Sequence, residues 1–238
     1  MEGTFVNVAS VLLGGTAGLA LRRRFPERMR ETVMMGIGLA TLLIGVQMSL
    51  QTKNVLGIIV SLAIGAVAGE SLHIEEGLEA LGRWAEQRVG GANAAGSVAT
   101  AFVTSSLLFC VGPMTILGSI QDGLGQPPVL LYTKSLLDGI SAMAIGAALG
   151  AGVLLSAGTV LAYQGAITLA AGAVQTFLSE DMTRELSATG GILIVGLGLG
   201  ILHIRRIRVG SLLPALVVSV LLTAAMPWLR AAARGVGL

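Results

Sequence analysis

The chain has 238 residues, of which 54% are hydrophobic and only 12% are charged, and its mean hydropathy is +0.84. Soluble domains carry about 25% charged residues, so this composition excludes a soluble globular protein and indicates a protein that crosses a membrane several times. The formal net charge of +2 excludes little, because in a membrane protein the position of the charges matters more than their sum.

Apolar segments predict the membrane spans, since a spanning helix needs about 20 mostly apolar residues. The sequence contains eight such segments, at 3–21, 33–50, 55–69, 97–120, 129–152, 154–177, 187–203 and 210–229. The third is short and the boundary between the fifth and the sixth is weak, so seven or nine spans remain alternatives. The predicted fold class is all-α, a polytopic membrane helix bundle forming a single integral membrane domain over residues 1–238.

Charged loops predict the orientation of these spans. The loops after the first and the seventh span are basic, and with eight spans they fall on one side, which the positive-inside bias makes cytoplasmic. Their basic residues are Arg22, Arg23, Arg24, Arg28, Arg30, Arg205, Arg206 and Arg208. An acidic loop around Glu180 and Glu185 is predicted outside together with both termini, although Arg230 in the C-terminal tail counts against this orientation.

Self-comparison predicts that spans one to three (1–69) repeat as spans six to eight (154–229), on either side of a central pair of helices (97–152). The matched pairs are Gly3 with Gly158, Thr4 with Thr159, Glu27 with Asp181, Arg30 with Arg184, Glu31 with Glu185, Gly36 with Gly190 and Leu39 with Leu193. Two such copies would be inserted in opposite orientations, the inverted-repeat arrangement common in secondary transporters. A chance match between glycine-rich apolar segments is the alternative.

The polar segment 70–96 is predicted to be a cytoplasmic amphipathic helix followed by a linker. Ile74 and Leu78 recur at helical spacing, opposite Glu75 and Glu79. Helices that lie on a lipid surface usually carry Lys and Arg on the polar side, whereas this one is mostly Glu. We therefore expect it to pack on its own bundle or on a second subunit.

Lys134 and Asp138 are the two charged residues that cannot be assigned to a loop, a span end or a tail. They stand four residues apart in the fifth span and therefore share a helix face. By helix rise, Lys134 can snorkel to the outer surface, whereas Asp138 lies near the middle of the bilayer, where a charge costs at least about 2.5 kcal/mol. A static ion pair is one interpretation; the other is a site where Asp138 binds a cation or proton, or Lys134 an anion.

The fourth span contains the motif Phe109-Cys-Val-Gly-Pro-Met-Thr-Ile-Leu-Gly-Ser-Ile-Gln-Asp122, which is too polar and too interrupted to face lipid. Pro113 has no amide hydrogen and crowds the carbonyl group of Phe109, so we expect a kink and a free carbonyl oxygen, with room provided by Gly112. The residues predicted to bind a solute near this break are Cys110, Gly112, Pro113, Thr115, Ser119, Gln121 and Asp122. A proline kink without a ligand is the alternative.

Asn7 in the first span and Gln164 in the sixth each follow a Gly-Thr pair by a few residues. If the repeat exists, the two amides lie at related depths and could line opposite walls of one central site. Interhelical hydrogen bonds with no ligand are the alternative.

The motif 109–123, followed by Lys134-Ser-Leu-Leu-Asp138-Gly and by Tyr163-Gln-Gly, resembles the bacterial membrane-protein family known as the domain of unknown function 554, or YqgA-like, family. The resemblance covers essentially the whole chain. It implies a multi-pass protein of the bacterial inner membrane, usually described as a transporter candidate with no established substrate. It supports the importance of Gly112, Pro113, Gln121, Asp122, Lys134, Asp138 and Gln164 without giving any of them a role.

The sequence predicts a secondary transporter that moves an ion or a small polar solute, with its site between the broken fourth span and the polar face of the fifth. An ion channel, or a membrane scaffold or subunit that transports nothing, are the alternatives. No enzyme, cofactor, metal site or nucleic-acid partner is expected, because His73 and His203 lie outside the spans and no catalytic or phosphate-binding motif is visible. Besides the lipid bilayer and the solute, the expected partner is a second copy, since glycine-rich helix faces could close a homodimer interface.

Overall fold

The computed structural model describes residues 1–22, 26–77, 80, 95–110 and 112–235, and the regular structure of these residues is all helical, which confirms the predicted all-α class. Eleven helices have defined bounds among the described residues: α1 (Glu2–Arg22), α2 (Glu27–Ser49), α3 (Val55–Ser71), α4 (Ala95–Cys110), α5 (Pro113–Gly123), α6 (Val129–Ala148), α7 (Gly152–Leu169), α8 (Ala171–Phe177), α9 (Glu180–Ile201), α10 (Val209–Leu212) and α11 (Pro214–Gly235). Residues 74–77 are also helical.

In the described part of the chain, six helical segments are long and apolar enough to cross a membrane: α1, Glu31–Ser49 of α2, α6, α7, α9, and Val209–Met226 of α10 and α11. Helices α4 and α5 qualify together as one further span that is bent by 62° at their junction, and α3 is an apolar helix of 17 residues. The chain is therefore a polytopic helix bundle, while the total of eight spans stays a prediction.

Two predicted boundaries are wrong. The residues around Glu180, predicted as an acidic loop, form the first turns of α9, because the Ser179 hydroxyl oxygen accepts a hydrogen bond from the Met182 amide (3.2 Å) and acidic side chains favour a helix N-terminus. The predicted sixth span, 154–177, ends at Leu169, and the separate short helix α8 follows it.

Glycine lets α1 and α6 approach to backbone contact. A methyl group added to Gly14 would collide with the carbonyl oxygen of Gly139, and one added to Gly18 would collide with that of Met143. From the first contact to the second, the residue numbers rise by four on both helices, so α1 and α6 are parallel. In a membrane, such close packing of backbones is a main source of helix association.

Contacts at the helix ends define two faces of the bundle. The Thr4 hydroxyl at the start of α1 lies 3.2 Å from the Thr168 hydroxyl at the end of α7, so these two helices are antiparallel. At the other end of α1, Arg22 lies against the turn between α6 and α7, and Arg208 pairs with Glu70 at the end of α3. We call the Thr4 end the acidic face and the Arg22 end the basic face; which of them is cytoplasmic stays a prediction.

Helices α4 and α5 together cross the bundle once. At the start of α4, the carbonyl group of Val98 abuts Gly152 at the basic-face end of α7. At the end of α5, Gly123 abuts the carbonyl group of Thr168 at the acidic-face end of the same helix. The break between α4 and α5 therefore lies inside the bundle, between the two faces.

The helices that the sequence pairs as repeats pack against each other, α1 on α7, α2 on α9 and α3 on α11. The contacts of Gly65 with Ala215 and of Gly69 with Ser211 run in opposite chain directions, so α3 and α11 are antiparallel, as α1 and α7 are. Opposite insertion of two copies requires this arrangement, but the inverted repeat itself stays a prediction.

Two apolar clusters form the interior, and an apolar cavity opens to the surface beside them. The first cluster joins α1, α4, α6 and α7 and contains Val11, Phe109 and Val153. The second joins α4 to α9 and contains Leu107 and Leu193. The cavity has a volume of about 510 Å³ and is lined mostly by apolar side chains of α4, α7, α9 and α11, of which Val217 and Leu221 are 63% and 58% exposed.

The predicted amphipathic helix of 70–96 lies largely outside the described residues. In the described part, the Glu75 carboxylate accepts a hydrogen bond from the Gly210 amide (2.8 Å), and Glu70 lies 2.6 Å from a guanidinium nitrogen of Arg208. The start of this segment is therefore held against the bundle of its own chain.

Candidate functional site

Lys134 and Asp138 form a buried ion pair on one face of α6. Their exposed fractions are 5% and 6%, and the lysine ammonium group contacts the carboxylate oxygen Oδ2. The ammonium nitrogen also lies 5.8 Å from the centre of the Phe109 ring, within the range of a cation–π interaction. The expectation that Lys134 reaches the outer surface is wrong, because the carboxylate and the ring both attract its ammonium group into the bundle.

Asn7 joins this pair from α1. Its amide nitrogen Nδ2 donates a hydrogen bond to Asp138 Oδ2 (3.0 Å), and its side chain is fully buried. The contact requires the close approach of α1 to α6 that Gly14 and Gly139 permit. In the part of the chain that the structure describes, the amide oxygen of Asn7 has no hydrogen-bond partner.

The break between α4 and α5 falls at Gly112 and Pro113, as predicted, but its carbonyl group is not free. Gly112 is extended (φ −70°, ψ 149°), and Pro113 begins α5. The Thr115 hydroxyl donates a hydrogen bond to the carbonyl oxygen of Phe109 (2.8 Å), the group that the proline nitrogen cannot serve. The prediction of a free oxygen is wrong, because the threonine side chain folds back and replaces the missing amide donor.

Asp122 lies at the end of α5 remote from the break, about 13 Å from Pro113 along the helix axis. Its carboxylate accepts hydrogen bonds from the amide (3.3 Å) and the hydroxyl (3.4 Å) of Thr4, and it lies 3.1 Å from the amino nitrogen of Met1. The carboxylate therefore stabilises the N-terminus of α1 at the acidic face. The structure thus separates Asp122, and the half-buried Gln121 beside it, from the break.

The polar side chains of α1, α5 and α7 form two layers. The outer polar layer, at the acidic face, consists of Thr4, Asp122 and Thr168, which are joined by hydrogen bonds. One helical turn further into the bundle, the same helix faces carry Asn7, Ser119 and Gln164, which we call the inner polar layer. All three inner side chains are fully buried, and Ser119 Oγ and both amide atoms of Gln164 have no hydrogen-bond partner among the described residues.

Cys110 lies outside these layers. It is 7% exposed and lines the apolar cavity together with Tyr163. Its neighbour Phe109 is fully buried and contacts the ammonium group of Lys134 through its ring. Cys110 therefore stands between the cavity and the charged pair instead of offering a ligand at the break.

The buried polar residues that sequence reasoning did not select include Thr4, Thr168 and Glu185. The first two stand one helical turn from amides that were predicted, and this spacing is the signal that would have found them. Glu185, 6% exposed, accepts hydrogen bonds from the Thr52 hydroxyl (2.6 Å) and the Lys53 amide (2.9 Å) and so fastens the α2–α3 connection to α9. Nothing in its sequence context distinguishes it from the exposed acids that precede it.

Fold and site define a polytopic α-helical membrane protein with a polar centre built from α1, α5, α6 and α7. The model of the family described as "Protein of unknown function (DUF554)" matches residues 2–224, and the chain belongs to this family, which confirms the resemblance.

The chain is similar to two curated bacterial proteins over nearly its whole length. It is 31% identical over 226 residues to "Uncharacterized protein YqgA" of Escherichia coli (strain K12), covering 94% of this chain and 96% of that protein. It is 29% identical over 222 residues to "Uncharacterized membrane protein YdfK" of Bacillus subtilis (strain 168), covering 92% and 93%. No solved structure matches the chain.

Proposed function

We propose that the protein is a secondary transporter of the bacterial inner membrane, which moves an ion or a small polar solute through the two polar layers. The main support for this proposal comes from polar atoms of Asn7, Ser119 and Gln164. These atoms are fully buried and have no hydrogen-bond partner in the described part of the chain. Each buried polar group without a partner costs about 1–3 kcal/mol. A site that takes up and releases a polar solute explains why such groups are present.

A purely structural role accounts for the ion pair but not for its neighbours. Lys134, Asp138 and the Asn7 amide nitrogen satisfy one another, as a static packing element would. Packing alone gives no reason for polar side chains at Ser119 and Gln164, since well-packed apolar groups are often neutral or stabilising in place of buried polar ones. Among the described residues, buried unpartnered hydroxyl groups also occur at Thr104 and Thr189. Ser119 and Gln164 differ from these because they share one layer with Asn7 beside Asp138, and this grouping favours transport.

The break in the fourth span supplies a moving part for this proposal. Helix α5 carries one residue of each polar layer, Ser119 and Asp122, and a side-chain hydrogen bond from Thr115 spans its junction with α4. A side chain added at Gly112 would meet nothing within 4 Å, so the joint is not crowded. Rotation of α5 about this joint would open the inner polar layer, as interrupted helices do in known transporter folds.

The proposal involves no enzymatic step, cofactor or nucleic acid. It includes a second copy of the chain as partner, because small residues on glycine-rich helix faces let helices associate closely in lipid. Crosslinking in native membranes, followed by measurement of the mass of the product, tests the homodimer.

Flux into proteoliposomes tests the transport proposal. Purified protein is screened against labelled ions and small polar solutes, and wild type is then compared with Asp138→Asn and Thr189→Val. Thr189 is a matched control, because its hydroxyl is also buried and, among the described residues, unpartnered, but it belongs to α9, which contributes no residue to the polar layers. We expect saturable exchange that Asp138→Asn abolishes and Thr189→Val retains, with both variants still folded by size-exclusion chromatography.

Three results would contradict this proposal. Equal flux in Asp138→Asn and wild type would remove the site. Unitary currents that do not saturate would indicate a channel. A wild type without flux that co-purifies with a stoichiometric partner would indicate a scaffold or subunit.

A further inference from the structure

The contacts of the outer polar layer lead us to infer that the inner polar layer lies in an enclosure between α1, α5 and α7. Helices α1 and α7 meet at the hydroxyl groups of Thr4 and Thr168 (3.2 Å), and α5 meets α1 where the Asp122 carboxylate accepts from the Thr4 hydroxyl (3.4 Å). Helix α5 also meets α7 directly, because a methyl group on Gly123 would collide with the carbonyl oxygen of Thr168. All three helices are therefore in mutual contact at the outer layer.

Moving inward by one turn keeps the same helix faces turned toward each other. On α1 this step leads from Thr4 to Asn7, and on α5 and α7, which end at the acidic face, it leads back to Ser119 and to Gln164. The step is about 5 Å along each helix axis. The Asn7 amide also bonds Asp138, so the carboxylate on α6 closes the fourth side of the enclosure.

The atoms that await a partner in this enclosure are mainly oxygens. They are Asn7 Oδ1, Ser119 Oγ and Gln164 Oε1, with Gln164 Nε2 as the single nitrogen, in the described part of the molecule. Amide, hydroxyl and carboxylate oxygens are the ligands of hard metal cations. The side chains of all three residues are fully buried, so these atoms are closed off from solvent in this conformation.

Two carboxylates lie along the way to the enclosure, and each already has a cationic partner, the Met1 amino group at Asp122 and Lys134 at Asp138. Asp138 supplies a carboxylate at the inner polar layer, and Asp122 places a second one in the outer polar layer, one turn closer to the acidic face. A positive ion that approaches from this face meets the two carboxylates in succession and competes with the amino group of Met1 at the first of them. Lys134 opposes it, because its ammonium group already holds Asp138 Oδ2.

We propose that Asn7, Ser119, Gln164 and Asp138 bind one dehydrated monovalent metal cation, which competes with the Lys134 ammonium group for the Asp138 carboxylate. This cation would be either the transported solute or the coupling ion of the transporter proposed above, so the cation site rests on that proposed function. Binding the cation adds one positive charge beside Lys134. Removal of the lysine charge therefore strengthens cation binding, whereas removal of the aspartate charge abolishes it.

Thermal unfolding of the purified protein in detergent tests this site directly. The midpoint is measured while N-methyl-D-glucamine chloride is replaced by NaCl, LiCl or KCl at constant ionic strength. A cation that binds only the folded protein raises the midpoint with concentration, and the titration yields an apparent dissociation constant. We expect one of the three metal ions to stabilise wild type in a saturable manner.

The variants separate a cation site from general salt effects. Lys134→Gln should lower the apparent dissociation constant by about tenfold or more, because the repulsion between two charges a few ångströms apart is removed. Asp138→Asn, Ser119→Ala and Gln164→Leu should each lose the saturable shift, and the Thr189→Val control should keep it. If Asp138→Asn does not fold, Ser119→Ala and Gln164→Leu decide the result, since each removes a single unpaired group.

Two outcomes overturn the cation site. One is a wild-type midpoint that responds equally to metal chlorides and N-methyl-D-glucamine chloride, as expected if water alone occupies the enclosure. The other is a saturable shift that survives in both Ser119→Ala and Gln164→Leu. Flux distinguishes the two proposals: transport of another solute without cation stabilisation refutes only the cation site, whereas cation stabilisation without any flux refutes the transport function.

Discussion

The hydrogen bond from Thr115 to Phe109 predicts a coupled effect of two substitutions at the broken helix. Thr115→Val keeps the shape of the side chain but removes the hydroxyl that serves the buried carbonyl group of Phe109 (2.8 Å). A buried carbonyl group left without a donor costs about 1–3 kcal/mol. We therefore expect Thr115→Val to reduce the free energy of unfolding by about this amount, because Pro113 cannot provide an amide hydrogen in its place.

Pro113→Ala changes this expectation, since alanine restores the amide hydrogen that a continuous helix would donate to Phe109. In that background, the carbonyl group has a second donor, and the cost of Thr115→Val should fall well below its value in wild type. The four proteins form a double-mutant cycle, and we expect a coupling energy of about 1 kcal/mol or more. Denaturant titration in mixed micelles, followed by intrinsic fluorescence, measures each free energy.

Thr115→Ser serves as the matched control for this cycle, because it retains the hydroxyl and should keep most of the stability that Thr115→Val loses. A Thr115→Val cost that is the same with proline and with alanine at position 113 would refute the reasoning. So would Thr115→Ser and Thr115→Val variants that are equally destabilised, since loss of the hydroxyl would then cost no more than loss of the methyl group.

Two further predictions concern packing and access. Gly14→Ala should disrupt the α1–α6 contact, because its methyl group would collide with the Gly139 carbonyl oxygen. Gly36→Ala, whose methyl group would meet nothing within 4 Å, should be neutral or should stabilise the protein by up to about 1 kcal/mol. Equal yields and equal unfolding midpoints for the two variants would contradict the close packing of α1 on α6. Cys110, the single cysteine, lines the apolar cavity. In native membranes it should therefore react slowly with a charged thiol reagent and faster with an apolar maleimide of similar size. Equal labelling rates, measured by mass spectrometry, would instead show that water reaches this cysteine.

Local patterns in the sequence determined the class of protein and several features of the site. Apolar segments near 20 residues specify an all-helical membrane bundle wherever they occur, because a buried backbone in lipid must satisfy its own hydrogen bonds. The four-residue spacing of Lys134 and Asp138 and the proline at position 113 likewise act within one helix. Their pairing and the helix break were therefore predictable without any knowledge of neighbouring helices.

The tertiary structure decided which groups meet across helices. Asn7 reaches Asp138 only because glycines bring α1 within backbone contact of α6. Asp122 contacts α1 instead of the helix break, because α5 extends away from Pro113. Glu185 could not be distinguished from exposed acids by its neighbours in sequence. The physical reason is the sequence separation of the interacting residues. Helix periodicity determines which residues share a face within a turn or two of one helix. The depth and rotation of one helix against another depend on contacts between residues more than a hundred positions apart.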